Sequence, residues 1–231
     1  MKEEQTCCAQ RAVILADEPY EQLRPVTYQT PAALIRVHGR QMLNVLIQIL
    51  HQNGIQEVYV VVGHLKEQFA GLAAEYPGVT LIENPYYESA ASIASLYCAR
   101  DHLENSIILG GNLIVYDPAV LTPGFDSSGF SAVWTEETDC TAAGWQSAGI
   151  SRWSAEDGRK LRRHLEIEFE EKQNRQIPWE NIPLLRAGDY TMGIQKLCPD
   201  DVIAISTLEE LADIDTGYAG LVKQKRQNMT V

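Results

Sequence analysis

Three acidic residues lie close together in the second half of the chain and could bind a cation. Glu136, Glu137 and Asp139 follow the apolar segment Phe130–Thr135, which is predicted to be a strand. Carboxylate oxygens are the ligands that hard metal ions prefer, and they also complement a cationic substrate. A solvated acidic loop explains the same residues, so both interpretations stay open.

Aromatic residues form a second set with a definite chemistry. The faces of aromatic rings attract cations, so several rings together could surround a quaternary ammonium group. Packing in the core explains such rings equally well. The residues concerned are Trp134, Trp145, Trp153, Trp179, Tyr86, Tyr87 and Tyr97.

Nucleophilic catalysis is not indicated by the sequence. No Ser-His-Asp or Cys-His arrangement is visible, and Cys140 has no cationic neighbour in the sequence that would favour a reactive thiolate. The five cysteines are an odd number and include no C-x-x-C pair. This pattern predicts free thiols in a reducing compartment.

The elements that must position these residues alternate between strands and helices in the first half of the chain. Apolar residues between Gly39 and Asn53 recur at intervals of three and four, which is typical of an amphipathic helix. The alternation predicts right-handed βαβ units on a parallel sheet. The predicted strands are Arg11–Leu15, Glu57–Val62, Val79–Glu83 and Ser106–Leu109, and the other predicted helices are Leu65–Tyr76 and Ala91–Leu103.

The second half is less regular, and the sequence predicts one domain. Capping-box spacings at Ser154 and Thr207 each predict the start of a helix, the first of which would run to Arg175. Ile177–Arg186 is predicted to be a packed loop. Further strands are predicted at Phe130–Thr135, Met192–Leu197 and Val202–Ile205. The predicted divisions are an N-terminal tail at 1–10, a single domain at 11–220 and a C-terminal tail at 221–231.

The charge balance excludes several classes of partner. The chain has 31 acidic and 19 basic residues and a formal net charge of −12, whereas a reader of the nucleic-acid backbone needs a basic face. No apolar segment is long enough to cross a bilayer. We therefore expect a cytoplasmic protein that binds neither nucleic acid nor membrane and that could form a homo-oligomer.

Ligands of an open parallel sheet bind beyond the carboxyl ends of the strands. Segments at and near those ends resemble the nucleotidyltransferases that join an NTP to a phosphorylated sugar or alcohol, and within them the phosphocholine cytidylyltransferase branch. The resemblance covers nearly the whole chain and depends on the order and spacing of its segments. These are Val13–Ala16, Leu23–Thr27, Thr30–Leu34, Val62–Phe69, Glu83–Tyr87, Ser95–Tyr97 and Thr207–Leu211.

The resemblance implies a fold, a reaction and a set of ligand-binding positions. The implied fold is α/β, a Rossmann-like GT-A type with a mostly parallel sheet and helices on both faces. The implied reaction uses CTP and depends on Mg²⁺. The candidate ligand-binding residues are Leu15, Ala16, Arg24, Gly63, Asn84, Ser95, Trp134 and Glu136.

The first loop departs from the family motif, which reads A-A-G-x-G-x-R. Glycines in such a loop let backbone N–H groups approach a triphosphate closely. Here Glu18 and Tyr20 occupy the two glycine positions, and Pro19 lacks an N–H group. Gln22 replaces the arginine, although Arg24 of the following L-R-P element is present. The acidic residues of this loop are expected to oppose the binding of a triphosphate.

Outside the first loop, the positions at which the family has charged residues are occupied here by uncharged residues. Ala32 stands where the family has a phosphate-contacting lysine. The family has a metal-binding D-x-D-like turn, and Gly110-Gly111-Asn112 stand at that place in this chain. The second metal-binding segment of the family is E-I-D, and Ala204-Ile205-Ser206 stand there. Mg²⁺ requires hard, preferably anionic oxygens. A β-rich stretch of the family also looks absent here, because Ala142–Ala148 would connect its flanking segments directly.

Three hypotheses follow. The first is a nucleotidyltransferase fold with impaired or absent catalysis, kept for binding or regulation, with no cofactor expected and with a nucleotide or a choline-like molecule as the ligand. The second is an active enzyme that uses CTP and Mg²⁺ through relocated ligands such as Glu136, Glu137, Asp139 or Asp117. The third is a structural or interaction protein on the same scaffold.

Overall fold

The computed structural model describes residues 7–136 and 144–228. Its strands are β1 (Cys7–Cys8), β2 (Arg11–Leu15), β3 (Arg36–Val37), β4 (Arg40–Gln41), β5 (Glu57–Val62), β6 (Val79–Glu83), β7 (Ser106–Gly110), β8 (Leu113–Val115), β9 (Gly124–Phe125), β10 (Gly129–Thr135), β11 (Gly144–Trp153), β12 (Gly193–Leu197) and β13 (Val202–Ala204). Its helices are α1 (Met42–Gln52), α2 (Leu72–Glu75), α3 (Ser92–Cys98), α4 (Ala155–Glu170), α5 (Asn181–Leu185), α6 (Leu208–Ile214) and α7 (Ala219–Asn228).

The centre of the fold is a seven-stranded sheet in the order β12-β10-β11-β7-β2-β5-β6. Strand β2 pairs in parallel with β5 and β7, and β5 pairs in parallel with β6. All four of these strands were predicted, and their mostly parallel arrangement confirms the predicted α/β class. Their carboxyl ends lie at one edge of the sheet, which is where an open α/β sheet binds its ligands.

Strand β11 was not predicted, and it makes the other half of the sheet mixed. It pairs antiparallel with both β7 and β10, and β12 then pairs in parallel with β10. Residues 144–148, which were expected to form a direct connection, therefore belong to a ten-residue strand. The small and polar residues of this segment carry little of the hydrophobic alternation that identifies a strand in a sequence.

Two core layers cover the two faces of the sheet. Successive residues of a strand point to opposite faces, and accordingly Ile14 packs with α1 residues such as Leu46, whereas Val13 packs with α3 and α4 residues such as Leu96 and Leu161. These side chains are fully buried. The sheet is thus packed between buried apolar layers on both of its faces.

Several helix boundaries differ from the predictions. The region predicted as one helix at Leu65–Tyr76 contains a 3₁₀ turn at Lys66–Phe69 followed by the short α2. Helix α4 begins at the predicted Ser154 cap, whose hydroxyl accepts a hydrogen bond from the Asp157 N–H, but it ends at Glu170. The predicted loop at 177–186 contains α5.

The predicted tails take part in the fold. Strand β1, within the expected N-terminal tail, pairs antiparallel with β9. Helix α7 includes most of the expected C-terminal tail, and its Lys225 donates a hydrogen bond to the carbonyl oxygen of Gln22 at 3.0 Å. None of the helices in the described part of the chain is long and apolar enough to cross a membrane.

Glycine 158 lets α4 approach the segment that follows α3. A Cβ atom at this buried position would lie 2.4 Å from the carbonyl oxygen of Leu103. Replacing Gly158 with alanine should gain about 1 kcal/mol of helix propensity but cost about 1–3 kcal/mol by overpacking. We expect Gly158→Ala to lower the free energy of unfolding by about 1 kcal/mol, measured by urea denaturation.

Gly220→Ala is the matched control, because Gly220 lies in α7 with open space around its Cβ position. It should leave stability unchanged or raise it by up to about 1 kcal/mol. Equal effects of the two substitutions would contradict the close approach of α4.

Candidate functional site

A cleft of about 350 Å³ opens at the carboxyl ends of β2 and β7. It is bounded by the loop after β2, the turn after β7, strand β11 and the segment before α5. Its lining residues are Leu15, Glu18, Tyr20, Ser92, Ile108, Leu109, Gly110, Asn112, Leu113, Phe130, Ser147, Gly149, Ile150, Trp179, Glu180, Ala204 and Ser206.

Asn112 joins the two segments that the family resemblance assigns to metal binding. Its side-chain Nδ2 donates to the carbonyl oxygen of Ile205 at 2.9 Å, and the Ile205 N–H donates to the carbonyl oxygen of Asn112 at 2.9 Å. Gly110, Ala204 and Ser206 consequently line the same cleft. The structure therefore brings these positions together, although none of their side chains carries a charge.

Asp17 anchors the loop after β2 below the surface. Its side chain is buried, and its Oδ2 accepts hydrogen bonds from Asn84 Nδ2 at 2.6 Å and from Ser95 Oγ at 2.7 Å. Its carbonyl oxygen accepts from the His64 N–H at 3.0 Å. Burial raises the pKa of Asp17, and the two side-chain hydrogen bonds oppose that shift. Asp17 thus does not face the cleft, contrary to the expectation that it would oppose a triphosphate directly.

Two other carboxylates do line the cleft. Glu18 is exposed on one side, but the surrounding protein and the negative charges of Asp17 and Glu180 raise its pKa to about 6. Glu180 is partly buried, and burial raises its pKa as well. Among the described residues that line the cleft, none is a lysine or an arginine. At neutral pH the cleft therefore presents net negative charge.

Tyr20 has a backbone conformation that is uncommon for residues other than glycine. Its φ is 40° and its ψ is 68°, in the left-handed region that glycine adopts most readily. Its side chain lines the cleft, and its pKa is raised by burial and by the charges of Glu18, Asp17 and Glu180. Two positions that the family motif assigns to glycine thus carry side chains, Glu18 and Tyr20, that line the cleft.

Three of the positions taken from the family motifs lie outside the cleft. Arg24 pairs with Glu21 at 2.7 Å and lies over the ring of Tyr28. Gln22 is exposed. Ala32 is buried with Leu23, Ile205, Leu208 and other apolar residues beneath the loop.

Most of the remaining candidates position the loop instead of lining the cleft. Ala16 is buried, and Gly63 lies against Asp17 and Tyr87, where a Cβ atom would be 2.8 Å from the tyrosine Cβ. The His64 Nε2 donates to the Thr27 carbonyl oxygen at 2.8 Å. Asn84 and Ser95 hold Asp17, as described above.

Trp134 and Glu136 are exposed and do not line the cleft. Trp134 packs edge-to-face against Trp145 across the hairpin of β10 and β11, with ring centroids 5.4 Å apart. The other acidic residues predicted next to Glu136, namely Glu137 and Asp139, lie outside the described residues. Of the aromatic residues proposed as a cage, Trp179 alone lines the cleft. Its ring also packs against Trp153 in the core, with centroids 6.3 Å apart.

The residues at the family's metal positions do not fit Mg²⁺. Gly110 and Ala204 have no oxygen-bearing side chain, and Asn112 and Ser206 offer neutral oxygens in place of carboxylates. No group of three or more histidine, cysteine, aspartate or glutamate residues in the described part of the chain could hold a metal ion. Mg²⁺ binding in proteins relies on carboxylates in octahedral geometry.

Sequence reasoning missed Glu180, the second carboxylate of the cleft. It precedes α5 in a region predicted to be a loop, and no spacing rule connects it with Glu18, 162 positions earlier in the chain. The sole local signal is the adjacent Trp179, one of the aromatic residues considered for cation binding.

The raised pKa of Glu18 predicts a pH-dependent stability change. Its pKa of about 6 in the folded state is higher than the ordinary glutamate value of 4.5. The folded state therefore binds this proton more tightly than the unfolded state does, and the free energy of unfolding falls as the pH rises through this interval. Glu18→Gln should raise the free energy of unfolding at pH 7.5 by about 1 kcal/mol after allowance for solvent screening, and by little at pH 4.5.

Thermal unfolding at the two pH values measures this difference, and Glu136→Gln supplies the same charge change at an exposed position outside the cleft. A gain for Glu18→Gln that is equal at both pH values would contradict the assigned pKa.

Comparisons with known proteins agree with this architecture. Residues 28–122 match the model of the MobA-like NTP transferase domain. The chain is 28% identical to 2-aminoethylphosphonate cytidylyltransferase of Lancefieldella rimae, over 92% of this chain and 94% of the relative. It is 25% identical to choline-phosphate cytidylyltransferase of Streptococcus pneumoniae, over 89% of this chain and 96% of the relative.

Solved structures give the same fold. The CTP:phosphocholine cytidylyltransferase of Streptococcus pneumoniae superposes with a TM-score of 0.80 at 22% identity, covering 89% of this chain and 97% of that protein. A putative glucose-1-phosphate thymidylyltransferase of Bacillus anthracis superposes with a TM-score of 0.71 at 14% identity, covering 91% of this chain and 95% of that protein. The resemblance inferred from the sequence is confirmed: residues 28–122 match the MobA-like NTP transferase domain, the whole chain is similar in sequence to the cytidylyltransferases, and its fold is that of the nucleotidyltransferases.

Proposed function

We propose that this protein is a cytidylyltransferase-like protein with impaired or absent nucleotidyl transfer, and that its cleft binds a small organic cation. The observation that carries the proposal is the pair of carboxylates, Glu18 and Glu180, in a cleft whose described lining includes no cation. Phosphoryl transfer depends on neutralising phosphate charge and positioning the reacting groups. This cleft would add negative charge where that chemistry requires positive charge.

Electrostatics decides between a triphosphate and a cation as the ligand. Two unit charges about 4 Å apart interact by roughly 4 kcal/mol at an effective dielectric constant near 20, and by less where solvent screens them. Even a fraction of this energy for each carboxylate opposes a ligand with several negative charges. The same carboxylates attract an ammonium group.

Aromatic walls complete the recognition of an organic cation. Trp179, Phe130 and Tyr20 line the cleft together with the two carboxylates, and ring faces attract cations by about 0.5–2 kcal/mol each. The names of the two cytidylyltransferase relatives mention choline phosphate and 2-aminoethylphosphonate, both of which carry a positively charged nitrogen. We therefore place choline-like and primary-amine cations in the ligand class.

The alternative is an active enzyme with relocated metal ligands. The same two carboxylates, Glu18 and Glu180, favour this alternative. Glu18 and Glu180 could bind Mg²⁺ without the aspartates of the family. Of the relocated ligands suggested by the sequence, Asp117 accepts a hydrogen bond from the Ala119 N–H at the start of a 3₁₀ turn and Glu136 is exposed outside the cleft, so neither supports this alternative. Glu137 and Asp139 lie outside the described residues. CTP with Mg²⁺ is therefore a necessary arm of the test.

Isothermal titration at pH 7.5 should detect choline with a dissociation constant of about 1 mM or below, and no heat with CTP and Mg²⁺. Because Glu18 has a pKa of about 6, it loses its charge at pH 5.0. The affinity for choline should then fall by about threefold to tenfold.

Glu180→Gln should weaken choline binding by a similar factor, whereas Glu136→Gln should leave it unchanged because that residue lies outside the cleft. Saturable heat with CTP and Mg²⁺, abolished by Glu180→Gln, would establish the alternative. Absence of heat with choline and other amines would end the cation proposal.

Restoring two family charges should not restore transfer. Ala32→Lys combined with Gly110→Asp adds a cation and a carboxylate, but Glu18 and Pro19 still occupy the phosphate loop. The lysine must also leave a buried position, and a Cβ atom at 110 would lie 2.7 Å from Asn112 Oδ1. We expect no pyrophosphate release above background from CTP, Mg²⁺ and phosphocholine.

Thermal unfolding of the double variant shows whether it is folded when it is assayed. Measurable turnover by this variant would show that the loop does not block the reaction.

A further inference from the structure

A second cavity, of about 360 Å³, lies toward the opposite edge of the sheet. Strands β10 and β12 begin at its wall, and β10 runs in the same direction as β7 because both are antiparallel to β11. The cavity therefore lies at the amino ends of these strands, whereas the first cleft lies at carboxyl ends. Its lining residues are Gly124, Phe125, Asp126, Ser127, Gly129, Phe130, Arg152, Gly193, Ile194 and Gln195.

Arg152 is buried in the wall of this cavity with neutral partners. It is 3% exposed. Its Nη1 donates to Ser131 Oγ at 3.1 Å and to Gln195 Oε1, and its Nη2 donates to the Val120 carbonyl oxygen at 2.5 Å. A guanidinium group has five N–H donors, so these bonds leave two of them, including the Nε–H, without an acceptor in the described part of the chain.

No carboxylate of the described chain neutralises this charge. The ion pairs among residues 7–136 and 144–228 do not include Arg152. Burial lowers the pKa of Arg152 to about 10, so the group remains charged at neutral pH. A buried charge without a counter-charge is costly, and it is unexpected in a chain of net charge −12.

We propose that this cavity is a binding site for a small oxyanion, a single phosphate or carboxylate group, which pairs with the Arg152 guanidinium. Both groups match the planar fork of an arginine and form charge-assisted hydrogen bonds with it. Asp126 is exposed and also lines the cavity. Its negative charge favours a small anion over a polyphosphate.

Gln195 offers a substitution that tests the charge without removing the arginine. Its Oε1 already accepts hydrogen bonds from Arg152 and from Ser131 Oγ, and the residue is exposed on β12. Gln195→Glu would place a carboxylate against the guanidinium with almost no change of shape. This internal counter-charge should take over the role of the anion.

The experiment is thermal unfolding of the full chain at constant ionic strength and pH 7.5 in sodium chloride, sodium phosphate or sodium acetate at about 20 mM. Phosphate, acetate or both should raise the Tm of the natural sequence by about 2–4 °C over chloride, with saturation. The two arms identify which oxyanion group is preferred. An equal Tm in all three salts would overturn the proposal.

The variants locate the site. Gln195→Glu should have a higher Tm in chloride and should lose the response to the oxyanions. Gln146→Glu, the same charge change at an exposed position on β11 outside the cavity, should keep the full response.

Arg152→Met should also lose the response. If it does not fold, the comparison between Gln195→Glu and Gln146→Glu decides the outcome. An undiminished response in Gln195→Glu would place the anion elsewhere and overturn the proposal.

Discussion

The buried carboxyl group of Asp17 is the constraint on which the geometry of the cleft depends. Asn84 and Ser95 both donate to the same oxygen of this group, so the loop after β2 is fastened to the end of β6 and to α3. Asp17 itself is buried, whereas Glu18, the next residue, is exposed. Glu18 and Tyr20 line the cleft, and Arg24 is left in an exposed loop paired with Glu21.

The described part of the chain thus has the fold of a nucleotidyltransferase, while none of the described residues that line the cleft is a lysine or an arginine. Tyr20 adopts a backbone conformation suited to glycine, and Asn112 still joins the turn after β7 to the segment before α6. These features determine the shape of the site, because shape depends on backbone packing and hydrogen bonds. Binding of a polyphosphate depends on cations and metal ligands instead, and the cleft has Glu18 and Glu180 in their place.

The sequence predicted the elements that depend on local signals. The alternation of short strands with helical segments identified β2, β5 and β6, and the capping-box spacing at Thr207 identified the start of α6. The sequence did not predict β11, whose small polar residues hide its alternation, nor that Asp17 turns away from the cleft. Glu180 was missed because its role depends on a contact with residues far away in the chain, which no local pattern encodes. Family motifs located the cleft but not the direction of each side chain.

A crystal structure of the protein grown with choline, CTP and MgCl₂ together would show directly whether this cleft binds cations in preference to polyanions. We expect an ammonium group between the carboxylates of Glu18 and Glu180 against the ring of Trp179, and no nucleotide in the cleft. Ordered phosphoryl oxygens and a divalent ion bound against the loop from Ala16 to Arg24 would contradict this expectation.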